Sequence, residues 1–153
     1  MGFRKKSVFT PEDAVKDFMR RLNAEKLQHS KDDEKNVVRV KHTGARYKST
    51  TFAFAFNDDG RSVELRILSL AQFTVADLEK AYAICNDLNQ RYTWLRFYID
   101  ADNELAAAME APVSPDGADE TCYELFRQTA TIIDSVYGEP SLQTYQNRRD
   151  FIS

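Results

Sequence analysis

The sequence predicts a single α+β domain in which helices pack on a five-stranded antiparallel sheet. Three observations support this fold class. Apolar residues recur every three or four positions in three segments, and they alternate with period two in five others. The turns between strands contain Asn, Asp and Gly, and no Pro/Gly/Ser-rich linker divides the 153 residues. The predicted element order is α-β-β-β-α-β-β-α within one domain over residues 1–153.

The first helix is predicted to begin at Pro11, with Thr10 as its N-cap and two acids in its first turn. One apolar stripe along this helix is formed by Ala14, Val15, Phe18, Met19 and Leu22. Residues 28–36 show neither period and are predicted to be a connection. Residues 1–9, before the helix, are predicted to be a tail.

Three strands follow, predicted at Val37–His42, Ser49–Phe56 and Ser62–Leu70 from their alternating pattern. The Asn57–Gly60 segment is typical of a hairpin turn, because Asn, Asp and Gly tolerate positive φ. In the second strand phenylalanines alternate with alanines, so both faces are apolar and the strand is predicted to be central. Sequential antiparallel pairing is the simplest topology for these strands.

The second half of the chain is predicted to contain a helix, a hairpin and a last helix. The predicted elements are a helix from Thr74 to Tyr92, strands at Trp94–Asp100 and Glu104–Ala111, and a helix at Asp119–Tyr137. Gly138 and Pro140 supply the stop of the last helix, and residues 141–153 are predicted to be a tail. The apolar stripe of the second helix is broad, which predicts a homodimer through this helix and the second hairpin.

Charge and composition exclude several classes of function. A net charge of -3 weighs against a general nucleic-acid binder, which needs clustered Lys and Arg. The basic clusters Arg4–Lys6 and Arg148–Arg149 are interpreted as solvated tails. The sequence contains no apolar run of membrane-spanning length and no signal-peptide pattern at its start. With only two cysteines, a cytoplasmic location is expected.

The residues that usually carry catalysis are few and scattered. Cys85 and Cys122 lie on apolar helical stripes, so we expect buried, inert thiols. His29 and His42 have no nearby Cys or His for zinc and are expected to be solvated. Neither a glycine-rich phosphate loop nor a metal or cofactor motif is found, so no cofactor is predicted.

The acids Asp100, Asp102 and Glu104 alternate around the second hairpin turn. A calcium loop of the EF-hand type would need Gly and Glu where this chain has Leu105 and Ala111. An acidic hairpin turn is therefore the favoured interpretation. A hydrolase that uses these three acids remains a third hypothesis.

One strand face is a candidate partner surface. Tyr92, Trp94, Arg96 and Tyr98 occupy alternate positions, and aromatic and guanidinium groups are enriched at protein interfaces. If helices cover the Leu95 face, this face is left for a partner. The alternative is that another helix covers it, or that these residues pack on neighbouring strands.

The segment from Ile84 to Val136 resembles the YbjN family of small bacterial sensory transduction regulators. The likeness rests on Asn86-Asp87-Leu88-Asn89 at the end of the second helix, the strand Leu95–Asp100 with its acidic turn, and the strand-loop-helix through Leu125-Phe126. The family's turn usually has Gly where this chain has Asn103. The resemblance implies the fold of type III secretion chaperones, which are small, acidic, cytoplasmic homodimers that bind extended partner segments. It carries over no catalytic residues.

The leading hypothesis is a non-enzymatic, regulatory or chaperone-like domain that binds an unidentified protein partner and neither nucleic acid nor membrane. The alternative is a small-molecule or nucleotide sensor with a pocket between the sheet and a helix.

Overall fold

The structure, a computed structural model, describes residues 9–47 and 49–146. The helices are α1 (Pro11–Ala24), α2 (Leu78–Arg91) and α3 (Ala118–Tyr137). The strands are β1 (His29–Lys31), β2 (Val37–His42), β3 (Thr50–Phe56), β4 (Ser62–Gln72), β5 (Arg96–Ile99) and β6 (Glu104–Pro112). They form one antiparallel sheet with the order β1-β2-β3-β4-β6-β5. The α+β class is confirmed.

The predicted number of five strands is wrong, because the sheet has six. The additional strand is β1, which lies inside the predicted connection 28–36 and pairs with β2 from His29 to Lys31. It has three residues and no buried side chain. A strand at a sheet edge can be held by backbone hydrogen bonds alone, so it leaves no alternating apolar pattern to detect.

The helices pack on the phenylalanine face of the sheet. Phe52 and Phe54 of β3 are fully buried, and Phe54 meets the Phe18 ring of α1 edge to face at 4.7 Å. Phe52 contacts Phe126 of α3 at 5.2 Å between ring centroids. The predicted N-cap of α1 is present, since the Thr10 hydroxyl accepts from the backbone N–H of the third helical residue. This face forms the hydrophobic core.

The second hairpin, formed by β5 and β6, joins the rest of the sheet through β6. β6 pairs with β4, so β5 becomes the outer edge of the sheet. The side-chain amide of Asn89 in α2 bonds this edge, donating to the Phe97 carbonyl (3.0 Å) and accepting from the Phe97 N–H (2.7 Å). β5 is shorter than predicted and begins at Arg96, because residues 93–95 form the turn that leaves α2.

Two turns contain backbone in the left-handed region. Gly60, in the predicted hairpin turn, has φ 70°, and Asn103 in the second hairpin has φ 60°. Glycine adopts this region without strain, and asparagine is among the few other residues that tolerate it. This tolerance allows Asn103 to occupy a turn position that glycine would also suit.

Residues 141–146, which belong to the predicted C-terminal tail, are packed against the domain. Pro140–Leu142 form a 3-10 turn, and the Leu142 side chain is fully buried. Tyr145 stacks on Phe73 at 4.5 Å, and its carbonyl accepts from the Gln72 N–H. Burial of these apolar groups outweighs the polar composition of the segment. Residues 147–153, most of the tail 1–9 and both basic clusters lie outside the described residues.

Candidate functional site

The face of the sheet opposite the helices carries no helix formed by residues 9–47 and 49–146. Helix α2 lies on the same side as α1 and α3, because Tyr92 at its end packs on the core residue Phe97 and Arg91 pairs with Glu139 beyond α3. On the opposite side, Leu68 is 53% exposed and Arg66 is exposed. We call this side the open face. Its residues include Arg39, Lys41, Thr51, Ala53, Ala55, Glu64, Arg66, Leu68, Arg96, Tyr98, Ala106, Ala108 and Glu110.

Three arginines of the open face lie in one row across the strands. The register pairs Arg39 with Ala53, Ala53 with Arg66, Arg66 with Ala108, and Ala108 with Arg96. Directly paired residues project from the same face of a sheet, so five strands contribute one side chain each. We call these five residues the arginine row. Guanidinium groups alternate with alanine methyl groups along it.

The ion partners of the row are partly exposed side chains. Arg39 lies 3.7 Å from Asp32, and Arg66 pairs with Glu64, which holds the pKa of Arg66 above its ordinary value. Arg96 instead stacks over the Tyr98 ring, with its guanidinium carbon 5.6 Å from the ring centroid. Exposed ion pairs contribute about 0–1 kcal/mol, so a partner can replace them at little cost.

The structure separates the four residues of the predicted partner surface. Arg96 and Tyr98 lie on the open face, and Trp94 lines a depression of about 510 Å³ beside them, together with Glu64 and Ala108. Tyr92 lies elsewhere, because it is the C-cap of α2 and its ring contacts Phe97 on the core face. The alternation that joined Tyr92 to the other three fails since the chain turns at residues 93–95.

Sequence reasoning missed Arg39 and Arg66. Each alternates with buried residues in its own strand, which was a visible signal of an outward-facing side chain. Their alignment with Arg96 depends on the order and register of strands that are far apart along the chain.

A second depression, of about 410 Å³, lies between the β2–β3 loop and α3. Its lining includes His42, Tyr47, Phe126 and Asp134. His42 Nδ1 lies 2.8 Å from the Tyr47 hydroxyl, and its ring packs edge to face on Phe126 at 5.2 Å. The expectation of a solvated His42 is therefore wrong. Desolvation lowers the pKa of His42 and raises the pKa of the buried Tyr47 hydroxyl, which keeps both groups uncharged at neutral pH.

Both thiols are buried, as predicted. Desolvation raises the pKa of Cys85 to about 11 and that of Cys122 to about 12. Because the thiolate is the nucleophilic form, these thiols are unreactive near neutral pH.

The three acids of the second hairpin build the turn itself. Asp100 Oδ1 accepts hydrogen bonds from the backbone N–H groups of Asp102 (2.9 Å) and Glu104 (3.1 Å), and Glu104 Oε2 accepts from the Ser69 hydroxyl. These contacts support the interpretation as an acidic turn. Over residues 9–47 and 49–146, no group of three or more His, Cys, Asp or Glu side chains is placed to hold a metal ion. Within the same ranges, no helix has the length and apolarity to span a membrane.

Comparison with known proteins gives a match to a family model and matches to solved structures. Residues 11–139 match the model of the YbjN family, described as "Putative bacterial sensory transduction regulator". The fold is similar to the crystal structure of YbjN, "a putative transcription regulator from E. coli", with a TM-score of 0.60 and 12% sequence identity over 80% of this chain and 87% of that chain. Comparison with curated proteins finds no match.

Proposed function

Because this chain belongs to the YbjN family, we propose that it is a regulatory domain that acts by binding another protein and catalyses no reaction. The observation that carries the proposal is the open face, the side of the six-stranded sheet over which the described part of the chain places no helix. Its three arginines and the adjacent aromatic residues are of the types enriched at protein interfaces. We further propose that this chaperone-like domain binds its protein partner in the cytoplasm.

Site-specific photo-crosslinking in cells tests the proposal. A photoreactive side chain at Leu68, on the open face, should form an adduct with another protein, whereas the same group at Gln128 on the exposed side of α3 should not. The adduct should disappear in Arg66→Glu, because this substitution replaces a positive charge at the centre of the open face by a negative one. Equal adducts at both positions, or none at position 68, would contradict a docking role for this face.

We also propose that the chain forms a homodimer through α2 and the second hairpin. The support is that Val75 is 75% exposed and Tyr82 57% exposed beside this helix. Multi-angle light scattering at micromolar concentration should give twice the 17.6 kDa chain mass. Tyr82→Glu should return the monomer mass, since it places a charge in the apolar contact. A monomer mass for the unaltered protein would refute the dimer.

A sensor of small molecules is the second candidate function. The observation that favours it is the depression beside His42 and Tyr47, which lies between the sheet and α3 and combines aromatic walls with the Asp134 carboxylate. A ligand that binds only the folded state raises the melting temperature. A thermal-shift screen therefore tests it, and Asp134→Asn should abolish any shift caused by a cationic compound bound there.

A further inference from the structure

We propose that the arginine row binds a partner segment in the polyproline II conformation that carries an acidic side chain at every third position. This inference rests on the proposed function, because it assigns a chemistry to the protein that would dock on the open face. Three features of the row support it: the spacing of its charges, the alanines between them and the aromatic residues at one end.

The spacing matches a polyproline II helix. Neighbouring strands lie ~4.8 Å apart, so Arg39 and Arg66, or Arg66 and Arg96, are separated by ~9.6 Å at the backbone. A polyproline II helix has three residues per turn and a rise of ~3.1 Å, which returns the same face every ~9.3 Å. An extended β-strand returns the same face every ~6.8 Å and does not fit the row. The segment would therefore cross the strands of the sheet.

The surface between the charges suits proline. Ala53 and Ala108 separate the arginines by small side chains; Ala53 is partly exposed and leaves a shallow recess between Arg39 and Arg66, whereas Ala108 is 1% exposed and offers none. Trp94 and Tyr98 flank Arg96 at the end of the row. Aromatic-lined grooves are a common way for proteins to recognise proline-rich segments, because the polyproline II conformation is already formed before binding.

The charge around the row favours discrete carboxylates over a nucleic acid. The open face contains two more cations than anions, although the chain as a whole has a net charge of -3. Glu64 and Glu110 pair with each other and lie beside the row, two residues along their strands from Arg66 and Ala108. A phosphate backbone, with a charge on every nucleotide, would meet these acids, whereas carboxylates at every third residue meet the arginines alone.

Two peptides of identical composition test the spacing. One contains repeated Glu-Pro-Pro triplets, and the other has the same number of Glu residues in one block followed by the prolines. Fluorescence anisotropy with the full chain should show tighter binding of the triplet peptide, and binding that weakens as salt is raised. Equal affinity for both peptides would overturn the proposed spacing, and tighter binding of an oligo-dT control would show that the surface is a nucleic-acid interface.

Charge reversal tests the location of binding. Arg66→Glu should raise the Kd of the triplet peptide by about tenfold, because it replaces one attraction by one repulsion. The matched control is Arg20→Glu, at an exposed position of α1 on the helical side, which should leave the Kd unchanged. Arg66→Gln, which adds no charge, should give a smaller increase, and the melting temperature of each variant establishes that it is folded.

The two proposals fail in different ways. If both peptides fail to bind while crosslinking from Leu68 still captures a protein in an Arg66-dependent manner, the acidic polyproline chemistry is wrong and the docking face stands. If crosslinking from Leu68 also fails, the proposed function falls with it. Equal loss of peptide affinity in Arg66→Glu and Arg20→Glu would show that net charge, and not the arginine row, causes binding.

Discussion

Replacing Gly44 with alanine is expected to lower the free energy of unfolding by about 1–3 kcal/mol, the usual cost of overpacking a core. An added Cβ would lie 2.3 Å and 2.6 Å from Cε1 and Cζ of the Tyr47 ring, and 2.8 Å from Asp134 Oδ1. Several contacts hold the Tyr47 ring in this position. It is fully buried, its hydroxyl is bonded to His42, and its ring packs on Tyr137 at 5.0 Å.

Urea denaturation of the unaltered chain and of Gly44→Ala measures this cost. The urea concentration at the midpoint of unfolding is expected to fall, with an unchanged m-value. The control is the same substitution in a Tyr47→Leu background, where the atoms that clash have been removed. The loss of stability caused by Gly44→Ala should be smaller there, so that the double variant is more stable than the sum of the two single changes predicts. An equal cost in both backgrounds would show that the ring is not the obstacle.

Replacing Asn89 with aspartate is expected to lower the free energy of unfolding by about 0.5–1.5 kcal/mol, the net contribution of one hydrogen bond, because the two bonds of Asn89 to Phe97 are partly buried. The amide both donates to and accepts from the backbone of Phe97, whose side chain belongs to the core. A carboxylate still accepts from the Phe97 N–H, but it has no hydrogen to donate and it repels the Phe97 carbonyl. The substitution therefore removes one of the two bonds without changing side-chain size.

Asn86→Asp is the matched control, because it makes the same chemical change at an exposed position of the same helix. It should alter stability by less than about 0.5 kcal/mol, as is usual for surface substitutions. A second consequence concerns aggregation: Asn89 covers backbone groups of an edge strand, and uncovered edges pair with other chains. Static light scattering on gentle heating should rise earlier for Asn89→Asp than for Asn86→Asp. Equal behaviour of the two variants would mean that Asn89 has no role at the edge.

The role of Asn89 also gives a physical meaning to part of the family likeness. The Asn-Asp-Leu-Asn sequence ends α2, and its last residue bonds the strand that follows. Leu88 of the same sequence is buried in the core. A helix end of this kind therefore fixes the position of β5 at the edge of the sheet.

Much of the fold could be predicted because its causes are local. Thr10 and Pro11 mark the start of α1, and the Asn57–Gly60 turn requires backbone conformations that few residues adopt. The boundaries of β2 were predicted without error. The short strand β1 and the packed segment ending at Gln146 were missed, because backbone pairing and a few distant contacts hold them in place.

Within a single helix or strand, which side chains face the core and which face outward was determined by the sequence alone, because the periods of helices and strands are properties of neighbouring residues. The sequence could also identify Arg96, Tyr98 and Trp94 as candidates for a surface. The alignment of Arg39, Arg66 and Arg96 was decided only by the tertiary structure, in which β6 inserts between β4 and β5. Register between strands that are distant in the chain depends on which apolar faces can be buried together, and no local pattern records that choice.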